Sequence, residues 1–407
     1  MNSFSFFGIL VKFLLDKDIV MNDVKQIAGL TPLRGVAALL VMLMHYQLFI
    51  APLVPVGTTH LFDKLYLMVD LFFVLSGFIM YHVYGGLFAT GINKAKFTKF
   101  ARARFARIYP LHLATLLYLV ALAMVCRQFG VTIDGFAGFL FNYEAVPYQL
   151  IMLQGIGPFH EALWNTPSWS ISTEWWTYMV FPLFMFCLFK FAGWLRLVFV
   201  LVIVVAYFWI MFELQPAFWA ARWEELGIPD SIPYPVGTID VITGSAFLRC
   251  LCGFVLGLLT YEVYVRDLFK PLFASGWLFA LSWLLLLVGW HFDWIYDPIA
   301  VSVFAIIILS LSFNSSGLIA FFSHKSFQFL GDISYSLYLV HMPILLSFIV
   351  YRKAMYYPDV AESSFGVGYT FSMTHAWLGL FVFLVLTIAI SSLSYRYIEQ
   401  PARKMLK

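Results

Sequence analysis

Residues 35–54 read GVAALLVMLMHYQLFIAPLV, twenty positions without a formal charge and with one histidine, His45. At 1.5 Å per residue a helix of that length covers about 30 Å, the thickness of a bilayer's hydrocarbon core. The same pattern recurs along the chain, and spans are expected at 35–54, 65–84, 108–126, 168–190, 196–214, 244–263, 272–291, 298–314, 331–351 and 374–396. Lipid offers the backbone no hydrogen bonds, so each span must be a helix. The fold class that follows is all-α, a polytopic integral membrane protein of about ten transmembrane helices.

Composition agrees. Of 407 residues, 62% are hydrophobic and 12% charged, and the mean hydropathy is +0.86. A soluble domain carries roughly 25% charged residues, so a cytosolic enzyme is excluded. The net charge of +3 is too small for a nucleic-acid binder, and no nucleic-acid partner is expected. Cys126, Cys187, Cys250 and Cys252 lie in or beside apolar runs, without the spacing of a disulfide framework or a metal site, and read as core thiols.

Charge position orients the chain. With both termini cytoplasmic, 19 of the 25 basic residues fall on the inner side and 6 outside, an asymmetry that an odd number of spans would scramble. Outward segments 127–167, 215–243 and 352–373 are long, as binding loops are, though long loops also occur without a role. Residues 1–29 form a separate cytoplasmic segment, apolar over 2–15 and interrupted by Lys12, that reads as an interfacial helix. Residues 30–407 form one membrane domain.

Ionisable groups inside apolar spans are costly, so each is a candidate for function. His45 follows Arg34 by eleven residues, about 16 Å along a helix. A structural histidine bonded to a neighbouring helix accounts for it equally well at this stage. Asp70 lies in Val69–Phe78, VDLFFVLSGF, where Ser76 and Gly77 suit a close helix crossing. Glu174 lies in Trp169-Ser170-Ile171-Ser172-Thr173-Glu174 and needs a partner, for which Arg249 or a histidine would serve. His341 falls near the middle of its span. Between two spans, Lys94, Lys96, Lys99, Arg102, Arg104 and Arg107 make a basic inner loop suited to anionic headgroups or to a phosphorylated ligand. Arg104 and Arg107, three apart, share a face if that stretch is helical. Trp169, Trp175 and Trp176 suit an interfacial aromatic belt or the face of a sugar. No Walker loop, no G-x-G-x-x-G and no H-E-x-x-H occurs, and none of the nine histidines begins an H-x-x-x-D motif.

These segments together resemble the acyltransferase-3 family of integral membrane acyltransferases, from Leu30 to Lys404. The matching stretches, in order, are Arg34 to His45, Val69–Phe78, Arg104–Pro110 (RFARIYP), Trp169–Glu174, Gly331–Pro343 (GDISYSLYLVHMP) and Tyr395–Pro401 (YRYIEQP). The resemblance implies an enzyme of the cytoplasmic (inner) membrane. It would take an acyl group, commonly acetyl, from cytoplasmic acyl-CoA as co-substrate, with no permanently bound cofactor. The acceptor would be a hydroxyl of a glycan, exopolysaccharide or related exported molecule. It places Arg34 and His45 in handling of the activated acyl group and Arg104 and Arg107 on the CoA side. Position along the spans adds Glu174 and Asp70 to His45 as catalytic candidates and Tyr109 to the CoA side. Trp169, Ser170, Arg249 and His341 go with the acceptor. Many relatives carry two adjacent acidic residues where this chain has Thr173-Glu174. The chain stops eleven residues after Arg396, without the soluble SGNH-type extension of some relatives, so transfer is expected to finish in the membrane part or in a separate protein.

Acyl-CoA phosphates cannot cross lipid, but a thioester on a long arm can reach upward from arginines at the rim. His45 would then serve as general base or as transient acyl carrier. A glycan or lipid transporter and a non-catalytic partner in an export complex remain alternatives, and a homodimer is among the assemblies the sequence allows.

Overall fold

A computed structural model describes residues 27–55, 57–131, 140–159, 161–190, 193–225, 236–314, 317, 322–356 and 372–405. Among them the chain is helical and no strand occurs. The interfacial helix expected within 2–15, and residues 132–139, 160, 226–235 and 357–371 of the three long loops, lie outside these residues.

The order is α1 (Leu30–Phe49), a 3₁₀ turn (Asp63–Leu67) leading into α2 (Met68–Phe88), α3 (Lys94–Gln128), the short α4 (Val146–Leu150) and α5 (Ser168–Lys190). Next come α6 (Trp194–Trp209), continuing through a π turn (Ile210–Leu214) into α7 (Gln215–Glu225), then α8 (Ala246–Val265), α9 (Gly276–His291) and α10 (Asp297–Phe313). The chain ends with α11 (Lys325–Asp332), α12 (Ser334–Tyr356) and α13 (Met373–Ser394), whose π turn (Tyr395–Glu399) leads to α14 (Gln400–Met405).

Among the described residues, seven helical stretches are long and apolar enough to cross a membrane: Leu30–Phe49, Asp63–Phe88, Lys94–Gln128, Trp194–Glu224, Ala246–Val265, Ser334–Arg352 and Met373–Met405. The other three of the ten expected spans are also helices but do not meet that test. α9 and α10 have 16 and 17 residues, about 25 Å at the α-helical rise. α5 is long enough, but it opens on a polar half.

α2, α8 and α12 occupy the middle, with 72%, 72% and 78% of their apolar windows buried against 28% for α6–α7 and for α13. The peripheral helices turn bare Val204, Val205, Leu378 and Phe381 outward, as lipid-facing surfaces do. At the centre α2 and α8 cross at backbone contact. A Cβ on Gly77 would meet the Phe254 carbonyl oxygen at 1.9 Å, and one on Gly257 the Val74 oxygen at 2.1 Å. Only glycine allows this approach.

Buried charges are paired, as low dielectric requires. Arg249 of α8 meets Asp70 of α2 at 2.7 Å, and Arg196 of α6 is paired with Glu262 of α8. Asp297 receives Lys64 at 3.3 Å and the Tyr66 hydroxyl. Glu399 holds Arg403 at 2.5 Å and Arg107 at 3.5 Å.

Two features differ from the expected organisation. The basic stretch from Lys94 is not a loop but the first half of α3, capped by Asn93, whose side chain accepts the Lys96 amide at 3.0 Å. Residues 152–155, in the loop before α5, lie against its polar half. There Ser172 donates to the Met152 carbonyl (2.8 Å) and accepts the Gly155 amide (3.1 Å), and Gln154 donates to the Ser168 carbonyl at 3.1 Å. Irregular backbone beside a span is tolerable when its polar groups are satisfied in this way.

Candidate functional site: two cavities with a common wall

α1 sets the geometry. Arg34 lies one turn into it and His45 one turn from its end, and each opens into a different cavity.

The first, of about 110 Å³, collects the guanidinium groups of Arg34, Arg104 and Arg107. The helical course of α3 puts the last two on one side, since residues three apart are neighbours on a helix. Arg104 donates to the Tyr84 hydroxyl at 3.1 Å and lies over the rings of Tyr84 and Tyr178, at 5.1 and 5.7 Å. Its buried Nε has no hydrogen-bond partner. Arg34 forms no ion pair and donates no hydrogen bond to another described residue. The carboxylate in this wall is Glu174, and hydroxyls rather than a cation hold it: Ser76 and Tyr178 each donate to its Oε1 at 2.5 Å. The expected partner, Arg249, is committed to Asp70 at 2.7 and 3.0 Å and to Asp240 at 3.1 Å. Three cations line this largely apolar cavity with one carboxylate; Arg107 also meets Glu399 at 3.5 Å, while Arg34 and Arg104 form no ion pair among the described residues, an arrangement suited to an anion.

The second cavity, of about 640 Å³, is walled by His45, Tyr66, Trp169, Trp219 and Trp223. Its cations are already matched. Arg222 is paired with Glu161 and lies over the Trp219 ring at 4.6 Å, and Arg249 lies over Tyr66 and Trp169 at 5.3 and 5.4 Å. Aromatic faces beside fixed polar groups, in a volume within the usual range of small-molecule sites, make a binding chamber.

Val69 and Tyr338 line both cavities, so the partition between them is one side chain thick. Tyr338 is fixed there: its hydroxyl is 2.7 Å from that of Ser170 and donates to the Pro167 carbonyl at 3.2 Å. Behind His45, its Nδ1 lies 3.0 Å from the Val41 carbonyl oxygen and 3.2 Å from Nε2 of His341.

The structure thus brings Arg34, Arg104, Arg107, Ser170 and Glu174 to the first cavity, and His45, Trp169 and Arg249 to the second. Three expected site residues belong to neither wall. Asp70 is fully buried in its pair with Arg249. Tyr109 turns its hydroxyl to the Leu150 carbonyl at 2.9 Å. His341 is fully buried and touches His45 instead of the chamber. Sequence reasoning missed Tyr178, Tyr338, Trp219, Trp223 and Arg222. Tyr178 was within reach, since it lies four residues after Glu174 on the same helix. Ser76, taken for packing, holds Glu174, while its neighbour Gly77 does serve the crossing.

The family model described as "Acyltransferase domain" matches residues 27–396. "Acyltransferase MdmB" of Streptomyces mycarofaciens is 33% identical over 165 residues, 39% of this chain and 39% of that protein. "Protein 2 in picA locus" of Rhizobium radiobacter is 40% identical over 97 residues, 24% of this chain and 42% of that protein. The chain thus spans about two fifths of the length of the curated relatives it matches. No solved structure matches it.

Proposed function

The chain belongs to the acyltransferase-3 family, and we propose that it is a multi-pass membrane O-acyltransferase that moves a short acyl group, acetyl foremost, from cytoplasmic acyl-CoA to a hydroxyl of a glycan or similar exported acceptor. One arrangement carries the reading: an arginine-lined cavity and a histidine-bearing chamber meet at a thin wall of Val69 and Tyr338, and α1 carries Arg34 to the one and His45 to the other, about 16 Å apart. Phosphates held by Arg34, Arg104 and Arg107 exchange water for guanidinium donors and need not cross the bilayer. The flexible arm carries the thioester inward to the partition. The acceptor enters the chamber against Trp169, Trp219 and Trp223.

His45 then acts as general base. Its Nε2 takes the hydroxyl proton as the oxygen attacks the thioester carbonyl. The tetrahedral intermediate collapses with loss of the CoA thiolate, which leaves as the thiol with the proton returned from His45. Acyl ester and free CoA are the products. In this scheme Glu174 is the counter-charge of the arginine cavity, and Asp70 fixes Arg249 in the chamber wall.

The test is release of CoA and formation of acylated acceptor from labelled acetyl-CoA by the purified protein. His45→Ala should lose about 10² to 10⁴ of the transfer rate while remaining folded. Arg104→Ala should raise KM for acyl-CoA at least about tenfold, the loss of one charge-assisted contact. Wild-type transfer in both variants would end the scheme, and a pure carrier would release no CoA at all.

A further inference from the structure

His341 presents both ring nitrogens to fixed partners. Its Nδ1 lies 3.2 Å from the Leu337 carbonyl oxygen, one turn back on α12, and its Nε2 lies 3.2 Å from Nδ1 of His45. His45 repeats the pattern, with Nδ1 3.0 Å from the Val41 carbonyl oxygen one turn back on α1. The rings are 4.9 Å apart and tilted by 46°. Among the described residues, neither ring forms an ion pair with a carboxylate.

A carbonyl oxygen only accepts, so it selects the tautomer of the ring beside it. With hydrogen on Nδ1, His341 donates to Leu337 and offers its Nε2 lone pair to His45. His45, also with hydrogen on Nδ1, shares that hydrogen between Val41 and His341. Every contact is then satisfied, and the lone pair of His45 is left on Nε2, which takes no hydrogen bond from any described residue. The opposite pair of tautomers leaves both carbonyls unserved by the rings and places a hydrogen on the nitrogen that should be basic.

We infer that His341 is a positioning residue that holds His45 in the Nδ1–H tautomer and, once His45 has taken a proton, accepts a hydrogen bond from the imidazolium. It takes the place that a carboxylate fills in a Ser-His-Asp triad. A neutral imidazole suits this depth, because no second buried charge has to be paired. The inference rests on His45 being the base of the proposed transfer, and it moves His341 from contact with the acceptor to a place behind the base.

The experiment compares His341→Leu and His341→Gln with the wild type in acyl transfer, together with acyl-CoA affinity. Leucine fills the space without accepting a hydrogen bond, whereas glutamine can bring an amide oxygen near the former Nε2. The expected result is a kcat loss of about 10² to 10⁴ in His341→Leu. Both KM values should stay within about threefold, and His341→Gln should recover at least about tenfold of the loss. Wild-type kcat in the leucine variant, a loss carried in KM, or equal rates in the two variants would overturn the assignment. If His341→Leu does not assemble, as judged by acyl-CoA affinity, His341→Gln decides alone. A kcat below wild type but at least about tenfold above that of His45→Ala, at unchanged KM, supports the role, and wild-type kcat or a smaller margin over His45→Ala refutes it. A His45→Ala variant that still transfers would instead strike the proposed function itself.

Discussion

Glu174 is a carboxylate of α5 that two neutral hydroxyls hold, although three guanidinium groups share its cavity. Charge alone would have drawn a cation to it; the geometry keeps the arginines facing the cavity instead. Its effect on a bound polyanion is therefore repulsive, and its neutral isostere can still bridge Ser76 and Tyr178. At an effective dielectric near 20, one charge about 10 Å from a phosphate is worth roughly 1 to 2 kcal/mol, screening reducing the lower end. Glu174→Gln should accordingly lower KM for acyl-CoA about threefold to tenfold, with kcat changed less than that. Steady-state kinetics against acyl-CoA concentration read the effect, and a raised KM would mean that the carboxylate helps to hold the donor.

At the scale of elements, α3 decides between the two readings of the basic stretch. As one continuous helix it separates the cations by face. Lys94, Lys99 and Arg102 are exposed, while Arg104 and Arg107 turn into the cavity. Lys99→Ala with Arg102→Ala should leave KM for acyl-CoA within about twofold, since exposed charges are screened by water and salt. Arg107→Ala should raise it about tenfold, and Glu399 would keep Arg403 and Ser336. Equal effects of the two changes, measured by donor titration in detergent, would favour headgroup anchoring for the whole stretch.

The apolar parts of these elements were legible because lipid imposes a length and forbids unpaired backbone. α5 spans 168–190 as expected. The polar parts were less legible. α1 begins at Leu30 rather than 35 because Pro32 is tolerated in a first helical turn. α3 begins at Lys94 because exposed lysines and arginines are good helix formers that a hydropathy reading passes over. Arg34 and His45 were visible as misplaced charges. The Arg249–Asp70 pair was not, because residues 179 positions apart leave no trace of their contact in a single sequence.

For the whole molecule, two cavities with one wall would, in the proposed scheme, keep donor and acceptor apart until the thioester reaches the partition. Water in the chamber is the competing acceptor, and excluding it from the donor's side is part of what a closed site achieves. Tyr338 supplies much of that wall, with its hydroxyl tied to Ser170 and Pro167 and its ring against Phe72 at 5.8 Å. Tyr338→Phe keeps the ring and loses only the tether, so acceptor-independent CoA release should stay within about threefold of wild type. Tyr338→Ala removes the ring and joins the cavities, and acceptor-independent release should rise about tenfold or more. Val69→Trp thickens the same wall from α2 and should depress transfer to the acceptor while the arginines still hold the donor. CoA release measured with and without acceptor distinguishes these cases. If Tyr338→Ala releases no more CoA than wild type without acceptor, the barrier between donor and water lies elsewhere than at this wall.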